Sequence, residues 1–301
     1  AMYADPGDGL SRIAWEDENG MVIIDERTDA RGEYLWVQIT EEVPVARPVG
    51  PDLDADSDSG GPSPVPTELV TRSFRGNAES AAVWANYSPL YAIRELTDGG
   101  MVDAYGLSDP EASLTLTIGG TDRTFDVGGE TFGARDRYVA GDGRIFLVDD
   151  SDLRPVIFAK TRLVERALIP YAQPEIAAIR IEANGRSAVW TQHNRDDRGA
   201  HYWAPEGSPD AANDEVKSWM RKLLGVRSQA YLDEDELDVT LEPVLTYTVR
   251  GDDDAFAVDV LREVTEGDDP RWFARSEHAR SLVELTRSLA TDAFVDVQAV
   301  L

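Results

Sequence analysis

The chain has no cysteine in its 301 residues. A disulfide framework, a thiolate zinc site and a cysteine nucleophile are therefore all excluded. Lysine is nearly absent: of 29 basic residues only Lys160, Lys217 and Lys222 are lysines, the rest being arginine. Against 57 acidic residues this leaves a net charge of −28. A broad basic face that neutralises phosphates is thus excluded, and with it that class of nucleic-acid binding. An anionic membrane surface would repel the chain as well. No apolar run approaches the roughly 20 residues that span a bilayer. No secretory signal is visible. The Asp-rich, Lys-poor balance suits the hydrated surface of a salt-adapted protein, and a GC-rich genome would produce it equally.

What is present is enough apolar sequence for a packed core, 42% by composition. Ala1 ahead of Met2 reads as an added residue, and residues 1–9 as a flexible N-terminus. The chain is expected to be a piece whose export or anchor segment precedes it.

Internal similarity is the most informative feature. LTLTIGGTDRTFDV at Leu114–Val127 matches LTYTVRGDDDAFAV at Leu245–Val258 without a gap, at an offset of 131. Phe125 falls on Phe256 and Val127 on Val258. Both read as β-hairpins that turn over a Gly/Asp cluster. Upstream, RIAWEDENGMVII (Arg12–Ile24) matches AIRIEANGRSAVW (Ala178–Trp190), each with an Asn-Gly turn. A third strand then carries Trp36 in one copy and Trp203 in the other. A helix follows, capped by Asn77 or Asn213, with Trp84 aligned on Trp219.

The pattern predicts an α+β fold of two tandem diverged repeats. Each is an antiparallel β-meander/hairpin sheet with helices packed on one face. Unit 1 is placed at 10–170 and unit 2 at 175–301. From Trp36 to Trp84 is 48 residues, and from Trp203 to Trp219 is 16, so unit 1 carries an insertion of 32 residues. That insertion, at about 41–68, is rich in Pro, Gly, Ser and Asp and reads as a solvated loop.

The chemistry-bearing residues are few. DLDADSDSGG at Asp52–Gly61 has Asp at the first three ligand positions of a calcium loop. It has Ser57 where the turn needs Gly and Ser63 where the bidentate Glu belongs, so no calcium site is expected. Asp149-Asp150, Asp196-Asp197, Asp233–Asp238 and Asp252–Asp254 read as solvated turns. His193 and His201 lie on neighbouring predicted strands. With Asp196 they are conceivable zinc ligands or a hydrolase pair, yet nothing in their spacing fixes a geometry. His278 reads as part of a helix start. Gly128-Gly129 and Gly141-x-Gly143 read as hairpin turns rather than phosphate cradles, because no helix follows either one directly. The expected site list is therefore empty: no catalytic, cofactor-binding or metal residue.

One stretch resembles a known family. Tyr105-Gly106-Leu107 with Pro110, the Thr-rich strand after it, and RYVAGDGRIFLVDDSDL (Arg137–Leu153) are similar to the bacterial domain-of-unknown-function 4340 family. Trp203-Ala204-Pro205 and the helix after it fit the same layout. Unit 2 departs from the pattern, lacking Tyr-Gly-Leu and keeping only Leu241-Glu242-Pro243. The resemblance implies a short N-terminal membrane anchor followed by an extracytoplasmic region. It also implies genes beside a gliding-type ABC transporter permease and its auxiliary subunit. It carries over no activity or catalytic residue. On this basis the chain is expected to be a non-enzymatic accessory or scaffold module of a cell-envelope complex, without a cofactor. Its expected partners are envelope proteins, such as the transporter permease or the auxiliary subunit. The alternative is a periplasmic module that binds a small ligand in the cleft between the two repeats.

Overall fold

The computed structural model describes residues 1–2, 9–45, 66–97, 102–133, 135–267, 269–295 and 297–301. The acidic stretch Asp52–Gly61 lies outside them. The chain divides into two compact units, Ala1–Val164 and Glu165–Leu301. Glu165–Pro170, expected at the end of the first unit, thus belongs with the second. Backbone bonds explain this: Glu165 O accepts from Ser228 Oγ and Tyr231 OH, and Leu168 O accepts from Ser276 Oγ at 2.6 Å.

The first unit runs β1 (Leu10–Asp17), β2 (Gly20–Asp29), β3 (Gly32–Pro44), β4 (Thr67–Arg75), α1 (Ala78–Asn86), β5 (Arg94–Leu96), β6 (Ala112–Ile118), β7 (Thr121–Glu130), β8 (Asp136–Gly141), β9 (Arg144–Asp149), α2 (Asp150–Ile157) and α3 (Ala159–Arg162). Its strands form one antiparallel sheet in the order β4-β3-β2-β1-β6-β7-β8-β9-β5. Period-two alternation sets the buried face: along β6, Ala112, Leu114, Leu116 and Ile118 are buried and the residues between them are not. The N-terminus is anchored at Met2, whose side chain is buried and whose N–H donates to Leu90 O. That residue departs from the flexible N-terminus expected for 1–9.

The second unit runs β10 (Ala178–Ala183), β11 (Arg186–His193), β12 (Tyr202–Pro205), α4 (Asp214–Leu223), β13 (Ser228–Leu232), β14 (Leu241–Arg250), β15 (Ala255–Glu263), β16 (Trp272–Ser276), β17 (Ser281–Leu285) and α5 (Arg287–Phe294). Its sheet order is β12-β11-β10-β14-β15-β16-β17-β13. This is the order of the first sheet without β4. The main core joins one sheet face (Ile179, Ile181, Tyr247, Val249, Val258, Val260) to Val216, Trp219, Met220 and Leu223 of α4 and to Ala290, Ala293 and Phe294 of α5. The opposite face is not bare. Leu261, Phe273 and Leu282 are covered by Leu232, Leu237, Val239 and Leu241.

Both expected helix caps are present. Asn77 Oδ1 accepts from the N–H groups of Glu79 and Ser80, and Asn213 Oδ1 from those of Glu215 and Val216. Each satisfies N–H donors that a helix start leaves unpaired.

The residue-by-residue match between the units differs from the sequence alignment. Leu114 pairs with Phe125 in one hairpin, and Tyr247 with Val258 in the other. Phe125 therefore stands where Val258 does, two residues from the aligned Phe256. In the first meander Asp17 pairs with Gly20, so the turn is Glu18-Asn19. In the second Ala183 pairs with Arg186, so the turn is Asn184-Gly185. The two tryptophan pairs are each displaced by one residue. Trp36 pairs with Asp25 on the solvent side of β2, whereas Trp203 pairs with the buried Gln192. Trp36 is consequently half-buried under the Arg27 guanidinium, 5.0 Å from the ring centre, while Trp203 is fully buried. Counted from its cap, Val83 takes the place of Trp219. Val83 and Trp219 are buried, and Trp84 is only half-buried.

The expected loop at about 41–68 is strand at both ends. β3 and β4 pair from Trp36–Arg75 to Pro44–Thr67. Beyond that rung Val45 N–H donates to Pro66 O at 2.9 Å.

Candidate functional site

The residues that carry the family resemblance converge in the first unit. Gly106, in the left-handed region at φ 69°, ends a short 3-10 turn, Asp103–Tyr105. The turn lies against Gly128 in a bulge of β7, where the register against β8 shifts between Val127 and Glu130. A Cβ at Gly128 would stand 2.3 Å from Tyr105 O, so the approach needs glycine there. Gly128-Gly129 is thus a docking bulge and not the expected hairpin turn. Tyr105 stacks on Tyr138 of β8 with ring centres 4.2 Å apart.

Beside this stack lies an ionic cluster. Asp150, the first residue of α2, is 3% exposed. Arg137 Nε donates to its Oδ1 at 2.8 Å, and Arg154 pairs with Oδ2. The remaining Arg137 nitrogens reach Glu111 (2.7 Å) and Glu130 (3.1 Å). Burial pulls the Arg137 pKa down, but the bonds to Asp150 and Glu111 outweigh it and the net direction is up. Asp149 caps the same helix, its Oδ1 accepting from Ser151 N–H; the Ser151 side chain first, and this backbone bond second, hold its carboxyl below the usual value. The Asp149-Asp150 pair is therefore a helix start with one buried carboxylate, not the solvated turn expected. Burial does the opposite to Asp152, raising its pKa, with Asp149 adding to the effect.

The histidines are occupied. His193 faces Tyr202 across the β11–β12 ladder and stacks on it at 5.0 Å. His201 uses both ring nitrogens. Nδ1 donates to Arg198 O (2.9 Å), and Nε2 accepts from the Gln173 amide (2.6 Å), an assignment fixed by the network. His278 sits in the loop between β16 and β17, not at a helix start, with Nε2 3.4 Å from Glu165 Oε2. Ser276 Oγ accepts from the N–H groups of His278 and Ala279, which is the local bond that made this stretch read as a cap. No group of three or more His, Asp or Glu placed to hold a metal occurs among the described residues.

Of the other acidic runs, Asp252–Asp254 does form the β14–β15 turn, closed by Gly251 N–H to Asp254 O, with Asp252 paired to Arg195 at 2.7 Å. Asp197 accepts from Gly199 and Ala200 N–H in a turn. Asp233 leads a 3-10 turn whose Glu234 pairs with Arg275.

Two further features carry no motif. One is the outer strand β4, nine residues long and, among the described residues, with β3 as its one strand neighbour. The other is a half-enclosed cavity of about 360 Å³ lined wholly by second-unit residues. The strand's existence was hidden by its polar composition; the cavity depends on packing that no local pattern encodes.

These elements define a β-rich α+β protein built on two large antiparallel sheets, with no helix among the described residues long and apolar enough to cross a membrane. Residues 99–243 match the family model described as "Domain of unknown function (DUF4340)". The match begins ahead of β6, crosses the division between the units and ends in β14. No curated protein and no solved structure matches the chain.

Proposed function

We propose that the chain is a non-enzymatic, extracytoplasmic accessory module of a cell-envelope complex, associated with an ABC transporter. It docks by adding a partner's extended segment along the outer strand β4, at its Thr67–Ser73 stretch. One observation carries the docking mode. Among the described residues β4 is an outer strand with β3 as its one strand neighbour, and Leu69 upon it is 71% exposed, a setting suited to strand addition. The envelope setting rests on the transporter neighbourhood that the family resemblance implies.

We further infer that the two units are diverged copies of one ancestral unit. The shared strand order supports this, as do matched caps at Asn77 and Asn213 and matched hairpin rungs at Leu114–Phe125 and Tyr247–Val258. β4 is then an addition of the first copy, which fits a docking role acquired by one copy alone.

The test is affinity capture from detergent-solubilised envelopes of the native cells, with wild type and Leu69→Lys compared. Transporter permease or auxiliary subunits should co-purify with wild type and be depleted with the variant, because a lysine on an edge strand opposes strand addition. Equal recovery by both proteins removes the edge as the docking site.

A further inference from the structure

The cavity in the second unit is framed by Tyr247 of β14, the segment from Ala167 to Gln173, and the end of α4 through Arg227. Its volume of about 360 Å³ lies at the small end of ligand sites, which run roughly 300–1,000 Å³. Leu168, Ile169, Leu223 and Val226 supply buried apolar wall.

Three observations go beyond packing. First, Tyr247 is 1% exposed, yet its hydroxyl makes no hydrogen bond among the described residues. Its donor is left to water in the cavity, and an acceptor brought by a ligand would take that water's place. Burial raises the Tyr247 pKa, so the group stays protonated and remains a donor. Second, the charged residues lining the cavity are Arg221 and Arg227, and no carboxylate lines it, in a chain with 57 acidic residues to 29 basic. Third, neither arginine forms an ion pair among the described residues. Arg221 reaches only Ser218 Oγ at 3.5 Å, and Arg227 uses Nη1 alone, on Leu224 O and Val226 O. Cations do favour the end of a helix, and that accounts for Arg221 in the last turn of α4 and Arg227 just beyond it. It does not account for the cavity or for the unpartnered hydroxyl beneath it.

We propose that this cavity is a binding site for a small hydrophobic monocarboxylate. The carboxylate accepts from the Tyr247 hydroxyl and from the free guanidinium nitrogens of Arg221 and Arg227. The apolar body packs on Leu168, Ile169, Leu223 and Val226. This site is independent of β4, so either assignment stands without the other.

The experiment is calorimetric titration of the whole chain with butanoate, hexanoate, octanoate and 3-phenylpropionate, and with the matching amides as uncharged controls. At least one acid should bind saturably, and its amide should bind about tenfold more weakly or not at all. Tyr247→Phe keeps the packing and should weaken acid binding about tenfold. Arg221→Gln, an exposed change, should weaken it several-fold while the melting temperature stays put. Absence of saturable binding by every acid overturns the proposal. Equal binding of acid and amide, or unchanged affinity in both variants, overturns it as well.

Discussion

Arg137 donates through Nε to the carboxylate of Asp150 at 2.8 Å, joining β8 to the first turn of α2 in a place where Asp150 is 3% exposed. A pair of this kind is weak evidence of net stabilisation, but removing one partner leaves a charge stranded. Arg137→Met should destabilise the first unit by about 3 kcal/mol, read by denaturant unfolding. A double change, Arg137→Met with Asp150→Asn, should recover much of that loss, because the buried charge is gone.

The one-residue displacement between the aligned tryptophans makes a second test. Trp219 is 4% exposed, and its Nε1 donates to Ala293 O at 2.7 Å, tying α4 to α5. Trp219→Ala should cost about 3–5 kcal/mol. Trp84→Ala, at a half-buried position, should cost well under half as much. Equal losses would mean that both rings are core residues after all.

This displacement also marks how far the sequence could be read. The alternation in LTLTI and LTYTV revealed strands, and Asn77 and Asn213 revealed helix starts, because both signals are local. A shift of two residues along a strand keeps every side chain on its face, so matching Phe125 to Phe256 was invisible as an error. A shift of one residue in a helix turns a side chain by about 100°, which is why Val83 and not Trp84 lies inward. The tertiary facts had no local trace: the burial of Asp150, the docking of Tyr105 on Gly128, and the free hydroxyl of Tyr247. β4 overlaps the expected loop only at Thr67 and Glu68 and runs on to Arg75, over residues with no counterpart in the second unit's sheet.

The rung from Val45 N–H to Pro66 O closes the β3–β4 ladder before the acidic stretch begins. Deleting Asp52–Gly61 should therefore leave the melting temperature nearly unchanged, or raise it slightly. Shortening a loop by about half recovers roughly 0.6 kcal/mol of closure entropy. A fall of many degrees in a thermal melt would contradict this. Calcium titration of the same two proteins should show no saturable site, since the ligand positions at Ser57 and Ser63 are wrong for the ion.

Glu263 is held below its usual pKa by the Arg271 side chain and backbone N–H, which it accepts at 3.1–3.2 Å. A carboxylate whose folded pKa is depressed adds stability that is complete above its unfolded value of 4.5. That stability is lost as pH falls through the lower folded value. Arg271→Gln should therefore lower the melting temperature at pH 7. The gap to wild type should close as pH drops from about 5 to about 3, followed by circular dichroism. A gap that stays constant over that range would show that the pair contributes nothing charge-dependent.

In the proposed function this protein works by holding another one along the outer strand β4. Quantitative affinity capture from native envelopes, comparing wild type with Leu69→Lys, addresses it most directly. Transporter permease or auxiliary subunits should co-purify with wild type and fall away with the variant, at equal melting temperature. Wild-type protein recovered without a transporter subunit, or subunits recovered equally by both proteins, would contradict it.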